Sequence, residues 1–434
     1  MEQKKTTAIK ATETVKKVRP MVKAMNVRAL EANASGVPVA YCMTGSQYDE
    51  LLVALGIVPV WTENYAGLCG AKRDAERFLV KAESENYSHV ICGYARVGLG
   101  FDALRHELGE APPNSPDGGM AKPDMFLGSS CGCDPRYKWY QTLGRYMEDV
   151  PIHCFDVVWP ALDADLDEIR PYYIKYQLEQ FKGLVDFVEH QTGKKLNYDR
   201  LEETFAEGQE TWRWWYEVDQ LRKAVPSPMP SQDHFNSMVP ATFLSGTPEA
   251  TQFYQELYEE VKSRVENKIG IIDKENYRLL WAGGLPPWHT LWIFNYFESL
   301  GAVFVMENGY RVFDPVEIPS HIHDPLEKIA YRTFERFSQR YDKARKRSGN
   351  PTVEKILEYI DDYQIDGMMF HATISCRAMT IGQTDIKNRV QEYSKVPAIF
   401  LISDIIDVRD YSEAEWNAAI ANLMAMVETY KKSK

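Results

Sequence analysis

Short apolar runs alternate with longer amphipathic segments in two separate parts of this chain. Each run is bounded by Gly, Pro or polar turn residues, which is typical of buried strands. The predicted strands of the first part are 36–42, 56–61, 88–92, 124–128 and 150–158, and those of the second part are 277–284, 302–307, 367–376 and 397–404. Strands that alternate with helices favour a parallel sheet. We therefore predict an α/β protein with two parallel-sheet domains of flavodoxin or Rossmann type.

A different pattern separates these two parts. Residues 163–193, 198–225 and 248–268 form long, charged and periodic segments, which predict helices. An aromatic cluster, 212–216, lies within them, and we interpret it as helix packing and not as a ligand platform.

The start of the chain has a third pattern, in which apolar residues recur at helical spacing. This predicts an amphipathic arm that lies on this chain or on a partner subunit. The recurring residues are Ile9, Val15, Val18, Val22 and Met25. The predicted organisation is a helical arm (1–35), a first α/β domain (36–160), a helical region (161–270) and a second α/β domain (271–434).

Composition excludes several classes of function. The net charge of −12 and the pI near 5.4 argue against a nucleic-acid partner, which needs clustered Lys and Arg. No apolar run approaches the roughly 20 residues that span a bilayer, and the lysine-rich residues 1–26 lack the apolar core of a secretory signal. The cysteine count is seven, which is odd and argues against a disulfide scaffold. We expect reduced thiols in the cytoplasm.

Four cysteine sites follow predicted strands. Cys92 and Cys376 end two of the runs, Cys69 follows 56–61 after a short loop, and Cys131 and Cys133 follow 124–128. The carboxyl ends of parallel strands are where such sheets bind ligands. A thiol between a strand end and a helix N-terminus is stabilised as thiolate, the ligand of iron–sulfur clusters. These positions predict a metal centre.

Alternatives remain open for the individual cysteines. Zinc is the competing metal, although structural zinc sites usually have close C-x₂₋₄-C pairs and only Cys131-Gly-Cys133 approaches that form. Any single cysteine is otherwise a small core residue. We assign Cys154 to the core, and Cys42 is undecided between the two roles.

The remaining chemical signals are weaker. Residues 98–103 match part of a dinucleotide-binding fingerprint, but the acidic residue expected about 20 positions later is missing. The chain has no P-loop motif, so we expect that it does not hydrolyse ATP by that device and that any energy input comes from elsewhere. His289, beside a glycine turn, and His371, on a predicted strand, are candidate proton donors, with a structural role as the alternative for each.

Several of these stretches resemble the benzoyl-CoA reductase and 2-hydroxyacyl-CoA dehydratase family, over residues of about 36–160 and 278–410. The motifs that carry the resemblance are Tyr65-Ala-Gly-Leu-Cys69-Gly70, Cys92-Gly-Tyr-Ala-Arg-Val-Gly98, Ser129-Ser-Cys131-Gly-Cys-Asp134, Ser375-Cys376-Arg377 and the closing stretch from Phe400 to Asp407.

The resemblance implies a [4Fe-4S] cluster between the two α/β domains. By this resemblance, Cys69, Cys92 and Cys376 correspond to the cysteines that bind the cluster. Cys131 corresponds to a fourth cysteine of the family. Here the sequence has both Cys131 and Cys133 where the family pattern leads us to expect one thiol, which leaves the ligand set open.

The resemblance also implies partners: a homologous active-site subunit, iron–sulfur ATPase activator subunits, an acyl-CoA substrate and, indirectly, ferredoxin. Chain length, the basic arm and the Ser-Ser-Cys-Gly-Cys turn favour the active-site (B-type) subunit of ATP-dependent benzoyl-CoA reductase, which reduces the aromatic ring to a cyclic diene. One alternative is a 2-hydroxyacyl-CoA dehydratase subunit, which expels water through a ketyl radical. Another is a non-catalytic electron-transfer subunit.

Overall fold

The computed structural model describes residues 8–161, 164–310, 312–339, 341 and 348–433, and it contains two four-stranded parallel sheets. This confirms the predicted fold class. The strands of the first sheet are β1 (Val39–Cys42), β2 (Val58–Trp61), β3 (Met125–Ser129) and β4 (Ile152–Phe155). Those of the second sheet are β5 (Tyr277–Gly283), β6 (Ala302–Glu307), β7 (Gly367–Thr373) and β8 (Ala398–Ser403).

Helices surround both sheets. In the first half of the described chain they are α1 (Val18–Ala34), α2 (Asp49–Leu55), α3 (Thr62–Ala71), α4 (Glu76–Ser84), α5 (Gly93–Leu108), α6 (Asp134–Leu143), α7 (Leu166–Thr192), α8 (Tyr198–Leu221), α9 (Ser231–Phe243) and α10 (Pro248–Glu266). The second half adds α11 (Trp292–Ser299), α12 (Pro325–Ser338), α13 (Pro351–Asp362), α14 (Arg377–Thr380), α15 (Gln383–Ser394) and α16 (Glu413–Ser433). The three long helices predicted for the middle of the chain correspond to α7, α8 and α10.

The two sheets have the same strand order, β2-β1-β3-β4 and β6-β5-β7-β8. In each sheet the first strand pairs in parallel with the second on one side and with the third on the other. This reversal of strand order opens a crevice at the carboxyl ends of the strands, where α/β sheets bind ligands. β3 leads into the Cys131 and Cys133 turn, and β7 leads to Cys376. The two sheets therefore present their cysteines at equivalent positions.

The predicted strand at 88–92 is wrong. Residues 88–91 form a turn, in which the Ile91 N–H donates to Ser88 O at 3.1 Å, and Cys92 precedes the first residue of α5. Val90 is 58% exposed. The run is too short and too exposed for a central strand, and both sides of β1 already pair with β2 and β3.

The glycines after Cys92 lie inside α5, and neither a turn nor a dinucleotide requires them. A Cβ on Gly98 would lie 2.0 Å from Trp139 Cζ2, and one on Gly100 would lie 1.9 Å from the carbonyl oxygen of Phe78. Tight packing of α5 against α4 and α6 explains both residues.

The N-terminal arm packs on this chain. Val15, Val18, Val22 and Met25 are buried in a core shared with the middle helices, whereas Ile9 is 41% exposed. Residues 1–7 of the predicted arm lie outside the described residues.

Hydrogen bonds fix the arm to the middle helices. The Thr12 N–H and hydroxyl donate to Asp233 Oδ2 at 2.8 and 2.7 Å, and Arg264 donates to two carbonyl oxygens of the arm.

Among the described residues, no helix combines the length and the apolar character that crossing a membrane requires.

Candidate metal centre

Three cysteines occupy the same local position, directly before the first residue of a helix. Cys92 precedes α5, Cys133 precedes α6 and Cys376 precedes α14. Each thiol is partly exposed. The free N–H groups at a helix start favour negative charge, so this position suits a thiolate.

The three thiols share one electrostatic environment. Cys92 interacts with both Cys376 and Cys133, and the Glu63 carboxyl acts on all three. The structure therefore brings together thiols that come from both halves of the chain.

Burial is the main cause of the pKa shift of each of these thiols. It raises the pKa of Cys92 and Cys376, and it raises the pKa of Cys133 to about 12. Backbone N–H groups act in the opposite direction: Ala95 on Cys92, Arg136 on Cys133, and Met379 with Ala378 on Cys376. Without a cation the three thiols hold their protons at neutral pH, and a metal would displace them.

Cys131 lies beside this group but is held differently. Its side chain is 5% exposed, and its thiol donates to Gly45 O at 3.4 Å. Arg136 donates to the carbonyl oxygens of Cys131 and Thr44, and its Nε lies 3.3 Å from Glu63 Oε1. Arg136 therefore supplies a buried positive charge between the cysteine turn and Glu63.

Cys69 lies in a different environment. The expectation that it precedes a helix N-terminus is wrong, because it lies in the last turn of α3, and the next helix begins only at Glu76. Its side chain is completely buried in the core with Tyr65. Burial raises the pKa of its thiol, and the largest charge effect comes from Asp74. Its role as a ligand stays a prediction.

Cys42 and Cys154 lie on strands. Cys42 is completely buried in β1 and its thiol donates to Ala40 O at 3.6 Å, while Cys154 lies on β4 with intermediate exposure. These positions agree with a structural role for Cys154 and favour one for Cys42.

A short hydrogen-bond chain ties Cys92 to Cys376. The Gly93 N–H donates to Ser375 Oγ at 3.1 Å, and the Ser375 hydroxyl donates to Asp404 Oδ2. Asp404 Oδ1 also accepts the N–H groups of Ile406 and Asp407, both at 2.8 Å. The residues next to the two thiols are thereby linked through one buried carboxylate at the end of β8.

The two candidate proton donors differ in their hydrogen bonding. His371 is completely buried, with Nδ1 2.6 Å from Leu285 O and Nε2 2.9 Å from Ser403 Oγ, and burial lowers its pKa to about 4. It is therefore neutral at pH 7. His289 Nε2 lies 2.9 Å from Asp404 O, and its Nδ1 has no partner among the described residues. Burial lowers its pKa as well. Both roles stay predictions.

A second group of potential ligands, Asp219, His234 and Glu307, is buried close together. Its centre holds the Arg222 side chain, which donates to both Glu307 oxygens at 2.6 and 2.7 Å, to Asp219 Oδ1 at 3.2 Å and to His234 Nδ1 at 3.0 Å. A guanidinium already balances these carboxylates, so the group does not fit a metal ion.

Two cavities, each of about 340 Å³, share Thr44 and Tyr310 on their walls. The first, the arm cavity, lies between the N-terminal arm and α3, and its walls include Glu63, Tyr94 and Trp288. The second, which we call the aromatic cavity, is lined by six aromatic side chains together with polar and charged ones, and it includes Met379 of α14. Both cavities therefore reach the surroundings of the cysteine group.

Comparison with known proteins identifies the family of this chain. The family model described as 2-hydroxyglutaryl-CoA dehydratase, D-component, matches residues 48–427. The chain belongs to this family. The resemblance found in its motifs is thereby confirmed.

Relatives within the 2-hydroxyglutaryl-CoA dehydratase D-component family include several enzyme subunits. The chain is 24% identical over 408 residues to the (R)-phenyllactyl-CoA dehydratase alpha subunit of Clostridium sporogenes, covering 94% of this chain and 93% of the relative. It is 25% identical over 410 residues to the (R)-2-hydroxyisocaproyl-CoA dehydratase alpha subunit of Clostridioides difficile, covering 93% of each. It is also 24% identical over 444 residues to a benzoyl-CoA reductase subunit of Thauera aromatica, covering 97% of this chain and 95% of the relative.

Reasoning from sequence missed several polar residues near the cysteines of this dehydratase-family chain. Glu63 and Arg136 lie in the first turns of α3 and α6, and nothing in their local sequence pairs them. Asp404 and Ser375 lie within the motifs that carry the resemblance. The sequence signals that could have identified them are the position of Asp404 directly after a predicted strand and that of Ser375 directly before Cys376.

Proposed function

We propose that this chain is the iron–sulfur active-site subunit of an enzyme that acts on an acyl-CoA by one-electron transfer at low potential. The observation that carries the proposal is the meeting of Cys92, Cys133 and Cys376 at three helix starts drawn from both halves of the chain. Family membership supports it, because the relatives are subunits of acyl-CoA dehydratases and of a benzoyl-CoA reductase.

The donor set fits a [4Fe-4S] cluster, which thiolates hold. We assign Cys92, Cys133 and Cys376 as its ligands, so Cys133 takes the place that the resemblance gives to Cys69. Cys131 interacts electrostatically with Arg136 and Glu63, so it belongs to the surroundings of the same site. We do not assign it as a ligand, because its thiol donates a hydrogen bond to the carbonyl oxygen of Gly45. When bound, the cluster supplies single electrons to the substrate.

The protein's own residues hold the ligands in place. Ser375 and Asp404 fix the backbone beside Cys92 and Cys376, and the buried Arg136 offsets negative charge beside Cys133. Their burial keeps water away, which strengthens these electrostatic interactions. Of the two histidines, His289 is the better candidate for carrying a proton, because His371 uses both ring nitrogens in hydrogen bonds.

Iron content after anaerobic purification tests the ligand assignment. Iron and sulfide analysis with EPR spectra is expected to show a [4Fe-4S] cluster in the wild-type protein and its loss in the Ser variants of Cys92, Cys133 and Cys376. Cys154→Ser is the matched control. If Cys69→Ser loses the cluster while Cys133→Ser keeps it, the ligand set implied by the resemblance replaces ours. Protein without iron would refute the cluster.

For the reaction, we propose reduction of the ring of an aromatic acyl-CoA, with a homologous active-site subunit and an iron–sulfur ATPase as partners. The benzoyl-CoA reductase relative, which aligns over nearly its whole length, supports this reading. Dehydration of a 2-hydroxyacyl-CoA is the second candidate, because dehydratase alpha subunits align over equally long stretches.

Turnover assays distinguish between these two reactions. The complex of this chain with its partner subunits is incubated under anaerobic conditions with ATP, a strong reductant and either benzoyl-CoA or (R)-phenyllactyl-CoA, and the products are identified by mass spectrometry. A cyclic diene supports ring reduction, and an enoyl-CoA supports dehydration. A complex that holds iron but converts neither compound would favour the third candidate, a non-catalytic electron-transfer subunit.

A further inference from the structure

The aromatic cavity has walls suited to a flat ligand. Trp159, Trp212, Phe313 and Phe337 are among its lining residues. The aromatic cluster at 212–216, which we interpreted as helix packing, contributes to this cavity. Trp212 and Trp215 both line it, although Trp215 is only 1% exposed. The cavity reaches Met379 of α14, the helix that Cys376 precedes.

One cation on this wall has no carboxylate partner among the described residues. Arg336 is 4% exposed, and its guanidinium carbon lies 4.4 Å from the centre of the Trp212 ring. Its NH1 donates to Gln47 Oε1, a neutral acceptor, at 3.2 Å. This is the one hydrogen bond of the Arg336 side chain to the described part of the chain.

The neighbouring acids, Glu50 and Asp49, compensate the charge of Arg336 only in part. Glu50 is already paired, since its Oε2 accepts from Arg332 at 2.9 Å. Asp49 also lines the cavity, but its Oδ1 has no partner in the described residues, and burial together with Glu50 raises the pKa of Asp49 to about 8. At pH 7 this carboxyl is mainly neutral. The wall therefore carries a buried positive charge in excess, which is unfavourable unless an anion binds.

We propose that the aromatic cavity binds a flat organic anion, with its ring between the aromatic walls and its carboxylate on Arg336. A guanidinium pairs well with carboxylates because its N–H donors match their two oxygens. Taken with the proposed function, on which this extension rests, the site accepts an acyl group that carries a free anionic group at the end away from the thioester, in addition to neutral acyl groups such as benzoyl.

Benzoate and benzamide form a matched pair of probes, since they have the same ring and differ in charge. Isothermal titration at pH 7 is expected to show that the wild-type protein binds benzoate roughly tenfold or more tightly than benzamide, the range for a charge-assisted hydrogen bond. Arg336→Gln is expected to remove this preference, and Arg336→Lys to keep part of it. Arg200→Gln, an exposed arginine on α8, is the control and keeps the full preference.

Equal binding of the two probes to the wild-type protein, or binding of neither, would overturn the proposal. So would a preference that persists in Arg336→Gln. If Arg336→Gln does not fold, the wild-type comparison and Arg336→Lys still decide. Benzoate has no thioester and its binding needs no electron transfer, so the result is independent of the turnover assays that test the proposed function.

Discussion

At the scale of single residues, Asp49 is a half-buried acid whose inaccessible Oδ1 has no hydrogen-bond partner in the described residues, and its ionisation opposes folding. Burial raises its pKa to about 8 from an ordinary value near 3.8, so the folded protein keeps a proton that the unfolded chain releases. Stability therefore falls as pH rises from about 4 to 8. Asp49→Asn removes this penalty, and we expect it to raise the free energy of unfolding at pH 7 by about 1 kcal/mol or more.

Chemical denaturation at several pH values checks this prediction. The advantage of Asp49→Asn over the wild-type protein should be largest near pH 8 and should disappear towards pH 4. A difference that does not change with pH would show that Asp49 is already ionised in the folded protein.

Gly100 shows how closely α5 approaches α4. A Cβ at this position would lie 1.9 Å from a backbone oxygen, which cannot move without shifting the whole helix. Gly100→Ala is therefore expected to lower the free energy of unfolding by about 1–3 kcal/mol. Gly144→Ala is the control, because a Cβ there has ordinary contact distances with its nearest neighbour at 3.4 Å. Equal denaturation midpoints for the two variants would contradict the packing argument.

At the scale of elements, the starts of α5 and α14 are held together by Ser375. Ser375→Ala removes the acceptor of the Gly93 N–H and one donor to Asp404, at an expected cost of about 1–3 kcal/mol for the buried groups left unpaired. We also expect faster loss of iron on dilution into a chelator, because the backbone beside Cys92 and Cys376 is less constrained. Ser299→Ala, at an exposed helix end, is the comparison. Iron release at the same rate in both variants would show that Ser375 does not position the ligands.

The elements also show which parts of the sequence pattern are informative. Short apolar runs bounded by turn residues correctly predicted the strands of both sheets, and long periodic segments predicted α7, α8 and α10. The run at 88–92 failed because composition does not reveal whether a neighbouring strand position is free. The glycines at 98 and 100 match part of a dinucleotide-binding fingerprint because close packing between helices selects the same residue.

At the scale of the whole molecule, the sequence predicts a cluster held by thiols from both halves, with Cys69, Cys92 and Cys376 as ligands, and this ligand set stays a prediction. Strand position places Cys376 and the Cys131-Gly-Cys133 turn at equivalent ends of the two sheets. The choice between Cys133 and Cys69 depends on where α3 ends and α6 begins, and helix boundaries are weakly encoded in local sequence. Contacts across the two halves, such as Arg96 with Asp407, have no local signal at all.

Arg96 connects the two halves near the cysteine group. It is completely buried on α5, and its NH1 lies 3.0 Å from Asp407 Oδ2, after β8 in the second half. Hydrogen bonds from Arg409 and Arg96 outweigh burial and lower the pKa of Asp407 to about 2. A lowered pKa means that this contribution to stability is present above the ordinary value near 3.8 and is lost as pH falls towards 2.

Arg96→Met keeps the apolar stem and removes the charge. We expect a cost of about 3 kcal/mol at pH 7, at the low end for a broken buried pair because Arg409 still contacts Asp407. The cost should shrink below pH 4, where Asp407 takes up a proton more readily without Arg96. Arg389→Met, which removes an exposed pair with Asp385, is the control and should change stability by less than about 1 kcal/mol. If Arg96→Met costs no more than this control in denaturant titrations, the ion pair does not hold the two halves together, and other contacts, such as those of Ser375 with Gly93 and Asp404, fix the positions of Cys92 and Cys376.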